Sequence, residues 1–266
     1  MIRELSADIG SRTVHYVEAG SGWPLVLLHA FPLSADMWRP QLEQVPEGWR
    51  VLAPNLRGFG PGASDAARTL SDMAEDVVGL LDALRIERAA IGGLSMGGYV
   101  TLALYRIAPE RFSAMVLANT RAGADSAEGR AARDAMSALV REKGPEAVAD
   151  QMLPKLLGRT SHESRPRLEP LVRAMIRANR TGGIDGAIQA MKNRPDATPL
   201  LATVGRPALV ISGEEDVLIP LADSAEMDRL LPRSQLVTIP HAGHLSNLEA
   251  PDNFNEALGN FLRANI

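Results

Sequence analysis

Seven short runs rich in apolar and β-branched residues punctuate this chain: Thr13–Val17, Pro24–His29, Val51–Asn55, Ala89–Leu94, Ala114–Asn119, Ala208–Gly213 and Gln235–Pro240. Most are separated by longer stretches of helical periodicity, too long for hairpins. Such connections cross over a sheet and lay helices on its faces, so the pattern predicts an α/β fold with a mainly parallel central sheet. Between the third and fourth runs, Leu70, Met73, Val77, Leu80, Leu81 and Leu84 recur at helical spacing, and Thr69 with Asp72 can form a capping box. That helix should lie on one face of the sheet.

The alternation lapses after Asn119. Residues 121–199 are rich in Ala and Arg and hold amphipathic patterns without a strand, the clearest placing Leu168, Leu171, Val172, Met175 and Ile176 on one helix face. Pro166, the Gly182-Gly183 pair and Pro195 break the rest. Strand and helix alternate again from Pro207. The expected organisation is therefore one core, 1–120 with 200–266, interrupted by a helical cap at 121–199. A chain of 266 residues with 45% apolar content can bury one such core.

Composition narrows the function. With Lys+Arg 28 against Asp+Glu 32, the net charge of −4 offers no basic field for nucleic acid or an anionic membrane, and a small-molecule partner is favoured. No cysteine is present, which excludes disulfides, thiolate metal sites and a cysteine nucleophile. No apolar segment reaches transmembrane length, so a cytoplasmic location is expected.

Gly93-Leu94-Ser95-Met96-Gly97 stands between the apolar run ending at Leu94 and a helical run beginning near Tyr99. It lacks the Lys-Ser/Thr of a phosphate loop and the Gly-x-Gly-x-x-Gly of a dinucleotide loop. A serine on a tight strand-to-helix corner, with glycines two residues either side, is exposed at a helix N-terminus, where developing negative charge is favoured. No cofactor or metal is called for. A serine hydroxyl attacks only when a base takes its proton and an acid orients that base. Of five histidines, His244 follows the last strand run in Pro240-His-Ala-Gly-His244, with His241 as its rival. His15 falls in an early strand, His162 in the insertion, and His29 at a strand end where its ring would brace a loop. Asp216, in the turn after the 208–213 run, is the candidate acid, with Glu214 and Glu215 as competitors; Asn119, at the end of the strand before the insertion, cannot be a carboxylate. Two N–H donors are needed for the oxyanion. Met96, directly after the nucleophile, supplies one, and Phe31, in the loop after Leu27-Leu28-His29, the other.

The order Ser95, Asp216, His244 with an upstream oxyanion loop resembles the α/β-hydrolase superfamily. So do Pro54-Asn-Leu-Arg-Gly-Phe-Gly60, Gly92-Gly-Leu-Ser-Met-Gly-Gly98, Gly213-Glu-Glu-Asp216 with Pro220, and Ala242-Gly-His-Leu-Ser-Asn-Leu-Glu-Ala-Pro251. Two departures stand out: Ala30 where the family usually has glycine, and Asn55 where it usually has aspartate. The resemblance implies a cap inserted after the sixth strand of that fold, and a small-molecule ester or lactone as substrate. It points to the branch holding 3-oxoadipate enol-lactonases, small carboxylesterases and cofactor-free perhydrolases. Serine at the elbow separates it from haloalkane dehalogenases and epoxide hydrolases, which use aspartate there. A slow-turnover ligand receptor on the same frame would carry the same motifs.

Overall fold

The computed structural model describes residues 1–61, 63 and 66–265. Eight strands form one sheet: β1 (Arg3–Asp8), β2 (Thr13–Gly20), β3 (Trp23–Leu28), β4 (Trp49–Pro54), β5 (Ala89–Leu94), β6 (Phe112–Ala118), β7 (Ala208–Gly213) and β8 (Ser234–Ile239). Their spatial order is β1-β2-β4-β3-β5-β6-β7-β8. β1 and β2 pair antiparallel, as do β2 and β4, and every later pairing is parallel. β1 was not expected from sequence. Its six residues are nearly all exposed, so no apolar alternation marks it, and backbone pairing with β2 and the Arg3–Glu18 ion pair hold it.

The helices are α1 (Arg39–Glu43), α2 (Leu70–Ala83), α3 (Met96–Ile107), α4 (Ala127–Leu156), α5 (Arg159–Ser164), α6 (Leu168–Arg177), α7 (Thr181–Lys192), α8 (Thr198–Leu201), α9 (Leu221–Leu230), α10 (Ser246–Glu249) and α11 (Pro251–Asn265). Because side chains alternate along a strand, each central strand feeds two cores. Val26 and Leu28 of β3, with Met115 and Leu117 of β6, join the core that holds Met73, Val77 and Leu80 of α2 and Val100 of α3. Leu25 and Leu27, with Ala114 and Val116, join the opposite one, which holds Met37, Trp38, Phe254 and Phe261. Helix α2 begins with the expected capping box, Thr69 and Asp72 each bonding the other's backbone N–H. Such a cap is worth about 1 kcal/mol.

Residues 121–199 contain α4 to α7, the first two residues of α8, and no strand. Helix α4 bends at Gly144, whose φ of 75° lies outside the helical region, directly before Pro145. In α6, Leu168, Val172, Met175 and Ile176 are buried as their spacing implies, but Leu171 is 49% exposed. At 3.6 residues per turn it stands at the edge of the stripe formed by the other four, on the solvent side. Since β3 and β5 to β8 are parallel, the loops after them emerge on one edge of the sheet, where an α/β fold places its ligand.

Candidate active site

Ser95 occupies the corner between β5 and α3 with φ 56° and ψ −113°, a region that non-glycine residues rarely adopt. Such strain costs about 1–3 kcal/mol and needs surroundings that enforce it. Here the Ser95 N–H donates to the Ala118 carbonyl at 2.9 Å, while the Ser95 carbonyl accepts from the Gly98 and Tyr99 N–H groups and from the Thr120 hydroxyl. The flanking glycines are required by space: a Cβ on Gly97 would lie 2.1 Å from the Leu28 carbonyl oxygen, and one on Gly93 2.3 Å from the Gly97 carbonyl carbon. Helix α3 therefore packs directly on the end of β3, and the serine is forced outward.

His244 lies in the loop after β8, 28 residues beyond Asp216, and its Nδ1 is 2.9 Å from the Asp216 Oδ2. Both side chains are buried. Asp216 is fully satisfied as an acceptor: Oδ1 takes the Leu218 and Ile219 N–H groups at 2.8 and 3.0 Å, and Oδ2 takes His244 and the Asn119 amide at 2.9 Å each. Burial alone would raise its pKa, but the His244 charge and these hydrogen bonds outweigh it and hold the carboxyl below its usual value. With Asp216 ionised, Nδ1–H donates to it, which leaves Nε2 of the neutral ring with a lone pair able to accept a proton. Ser95 and His244 line the same cavity, with no hydrogen bond between their side chains among the described residues. Such contacts commonly tighten only with substrate bound.

The competing residues have other partners. His241 is exposed, and its N–H donates to Glu214 at 2.9 Å. Glu215, a competitor for the acid by sequence, accepts from the Thr160 N–H and hydroxyl at 2.8 and 2.6 Å, tying the Asp216 loop to α5. Asn119 cannot be an acid, yet it enters the site: its amide donates to Asp216 and to the Gly243 carbonyl while accepting from the Ser246 hydroxyl at 2.5 Å. No sequence spacing marks such a residue, since its partners lie 97 and 127 positions away.

The oxyanion-loop candidate follows β3. Within it the Ala30 N–H meets the Met37 sulfur, and the Leu33 N–H returns to the Ala30 carbonyl. That leaves the Phe31 N–H without a partner among the described residues. The Met96 N–H, first in α3, has no carbonyl four residues back inside its helix and is free for the same reason. His29 braces this loop from beneath: fully buried, its Nδ1–H donates to the Ala30 carbonyl at 2.9 Å and its Nε2 accepts the Leu56 N–H at 3.0 Å. Desolvation lowers its pKa from 6.5 to about 4, despite the bond to Ala30, which acts the other way. Because the folded value is the lower one, the unfolded chain binds more protons between pH 6.5 and 4. Stability from this group is therefore complete above pH 6.5 and is lost as pH falls toward 4, by up to about 3 kcal/mol. Urea unfolding at pH 7, 5.5 and 4.5 is expected to show that decline, and His29→Gln to flatten it; parallel pH slopes for the two proteins would refute the assignment.

The cavity has a volume of about 250 Å³ and is walled by Phe31, Ser95 and His244 on the sheet side. Met136 and Met152 of α4 and Met191 of α7 line it, whereas Met175 of α6 is packed in a hydrophobic core. Among the described residues, three cations, Arg121, Arg133 and Lys155, line it against the single carboxylate of Asp125. Asp125 is buried and accepts from Arg194, Arg121 and Arg133 at 2.7, 3.1 and 3.1 Å. Burial pushes its pKa up, but Arg133 and Arg194 more than offset this and keep it ionised. Among the described residues, no cluster of three or more His, Asp or Glu side chains could hold a metal ion, and no helix is long and apolar enough to cross a membrane.

Residues 24–251 match the family model for the alpha/beta hydrolase fold, and the chain belongs to that family. It is similar to a thermophilic esterase from Thermogutta terrifontis, solved with malate bound, at 34% identity over 98% of each chain and a TM-score of 0.93. The enol-lactonase from Burkholderia xenovorans LB400 superposes with a TM-score of 0.89 at 29% identity, covering 97% of this chain and 100% of that one. A dihydrolipoyllysine-residue acetyltransferase component of the acetoin cleaving system from Pseudomonas putida is 30% identical over 97% of this chain and 68% of its own.

Proposed function

We propose that this chain is a serine hydrolase that cleaves carboxylic esters or lactones of small molecules through an acyl-enzyme. His244 Nε2 takes the Ser95 proton as Oγ attacks the carbonyl carbon, Asp216 fixes the imidazole and stabilises its cation, and the Phe31 and Met96 N–H groups receive the oxyanion. The imidazolium then protonates the leaving oxygen, and water repeats the sequence to release the acid. Helices α4 to α7 act as a cap over the cavity. The observation that carries the reading is Ser95, held at φ 56° on the strand–helix corner and sharing its cavity with a histidine bound to a buried carboxylate. A fluorophosphonate probe should label Ser95 stoichiometrically, with loss of p-nitrophenyl acetate turnover in proportion. Labelling at another residue, or turnover that survives full labelling, would refute it.

The excess of cations on the cavity wall favours, among such substrates, those with a carboxylate on the arm away from the scissile bond. The similar esterase, solved with the dicarboxylate malate bound, supports this preference. A charge-assisted hydrogen bond is worth about 1.5–3 kcal/mol, so Arg133→Met is expected to lower kcat/KM on a carboxylate-bearing ester by about tenfold or more relative to a neutral ester. Equal losses on both substrates would remove the preference.

A further inference from the structure

We infer that Asn179 is a positioning residue for the oxyanion, transmitting the placement of the helical insertion to the Phe31 N–H; this rests on the hydrolase reading above. Asn179 lies between α6 and α7, outside the cavity lining, and is 4% exposed. Its Nδ2 donates to the Pro32 carbonyl at 2.8 Å, the Met175 carbonyl at 3.0 Å and the Leu33 carbonyl at 3.2 Å, and its Oδ1 accepts the Gly60 N–H at 3.0 Å. Donors and acceptors are thus matched in one amide orientation only. One side chain joins the insertion, the loop after β3 and the loop after β4.

The consequence for Phe31 follows from the hydrogen bonds of its loop. On the N-terminal side the Ala30 carbonyl is held by His29 and by the Leu33 N–H. On the C-terminal side the Pro32 and Leu33 carbonyls are held by the Asn179 amide. The free N–H lies between two fixed points, one from the core and one from the insertion. The insertion is seated closely here as well, since a Cβ on Gly183 at the start of α7 would lie 1.9 Å from the Gly58 carbonyl oxygen. Without Asn179, three carbonyls lose this donor, two of them, Pro32 and Leu33, in the loop, which shifts to find another.

An oxyanion donor acts on the tetrahedral state far more than on the bound ester, so its displacement lowers kcat and leaves KM nearly unchanged. Asn179→Ala and the isosteric Asn179→Asp are compared with the parent on p-nitrophenyl esters. The aspartate keeps the volume and the acceptor for Gly60 but turns carboxylate oxygen toward Pro32 and Leu33. Both variants are expected to lose about 10- to 100-fold in kcat with KM within about threefold. Affinity for a trifluoromethyl ketone, which forms the tetrahedral adduct, should weaken by the same factor, while the methyl ketone that merely occupies the site binds as before. Unchanged kcat in a folded variant, or equal weakening of both ketones, overturns the proposal and leaves the hydrolase reading standing. Failure of the parent protein to turn over esters and to take a fluorophosphonate on Ser95 would remove both.

Discussion

Ser95→Ala is expected to lower kcat on p-nitrophenyl acetate by about a millionfold while the protein stays folded, the order found when a hydrolase triad loses its nucleophile. The fold should tolerate the change for a local reason. Alanine has the same Cβ as serine, so it meets the same strain at φ 56°, and the hydrogen bonds at the corner use the Ser95 backbone rather than its hydroxyl. Binding should also persist, because Phe31, the methionines and the cations of the cavity wall are untouched. A residual rate above water is expected from the two N–H donors alone. Melting temperature, KM and kcat measured together decide the matter. A folded variant that retains turnover would show that the elbow is not the nucleophile.

Which parts of the site could be read from the chain follows from how each part is encoded. The elbow is local: five residues fix a corner whose glycines are demanded by contacts within 2.1–2.3 Å, so spacing and residue type suffice. The inner strands β5 and β7 were legible because burial on both faces leaves them largely apolar, and they run over Ala89–Leu94 and Ala208–Gly213 as the sequence implies. The exposed β1 was not, because a solvent-facing edge strand is specified by its partner's backbone. Asn119 and Asn179 were illegible for a related reason. Each is one amide whose partners come from distant loops, and an asparagine in an Asn-Thr or Ala-Asn-Arg context carries no local mark of that role. The cavity charge was half legible. Arginine density in the insertion was plain, but only packing shows Arg121 and Arg133 facing the cavity while Arg194 is buried over the Tyr99 ring, 4.1 Å from its centroid.

Asp216→Asn should be the next most damaging change after loss of the nucleophile, with kcat down by about 10⁴-fold, and the cause is a mismatch of donors. Four donors converge on the Asp216 carboxylate: two backbone N–H groups on one oxygen, His244 Nδ1 and the Asn119 amide on the other. An asparagine amide offers one acceptor and one NH₂ group, so every orientation sets donors against donors. If its oxygen keeps Leu218 and Ile219, its nitrogen faces both Asn119 and His244. Asn119 cannot turn to help, because its own oxygen takes the Ser246 hydroxyl and its nitrogen also serves Gly243. His244 resolves the conflict by moving its proton to Nε2, where it can no longer accept the proton of Ser95. The buried mismatch should also cost about 1–3 kcal/mol of stability. Two measurements separate this from simple unfolding: the variant should still bind a methyl ketone like the parent, and a fluorophosphonate should label Ser95 more slowly by a similar factor. Fast labelling with intact turnover would assign the orienting role to another carboxylate, and Glu214 and Glu215, both within two residues, would be the next to replace.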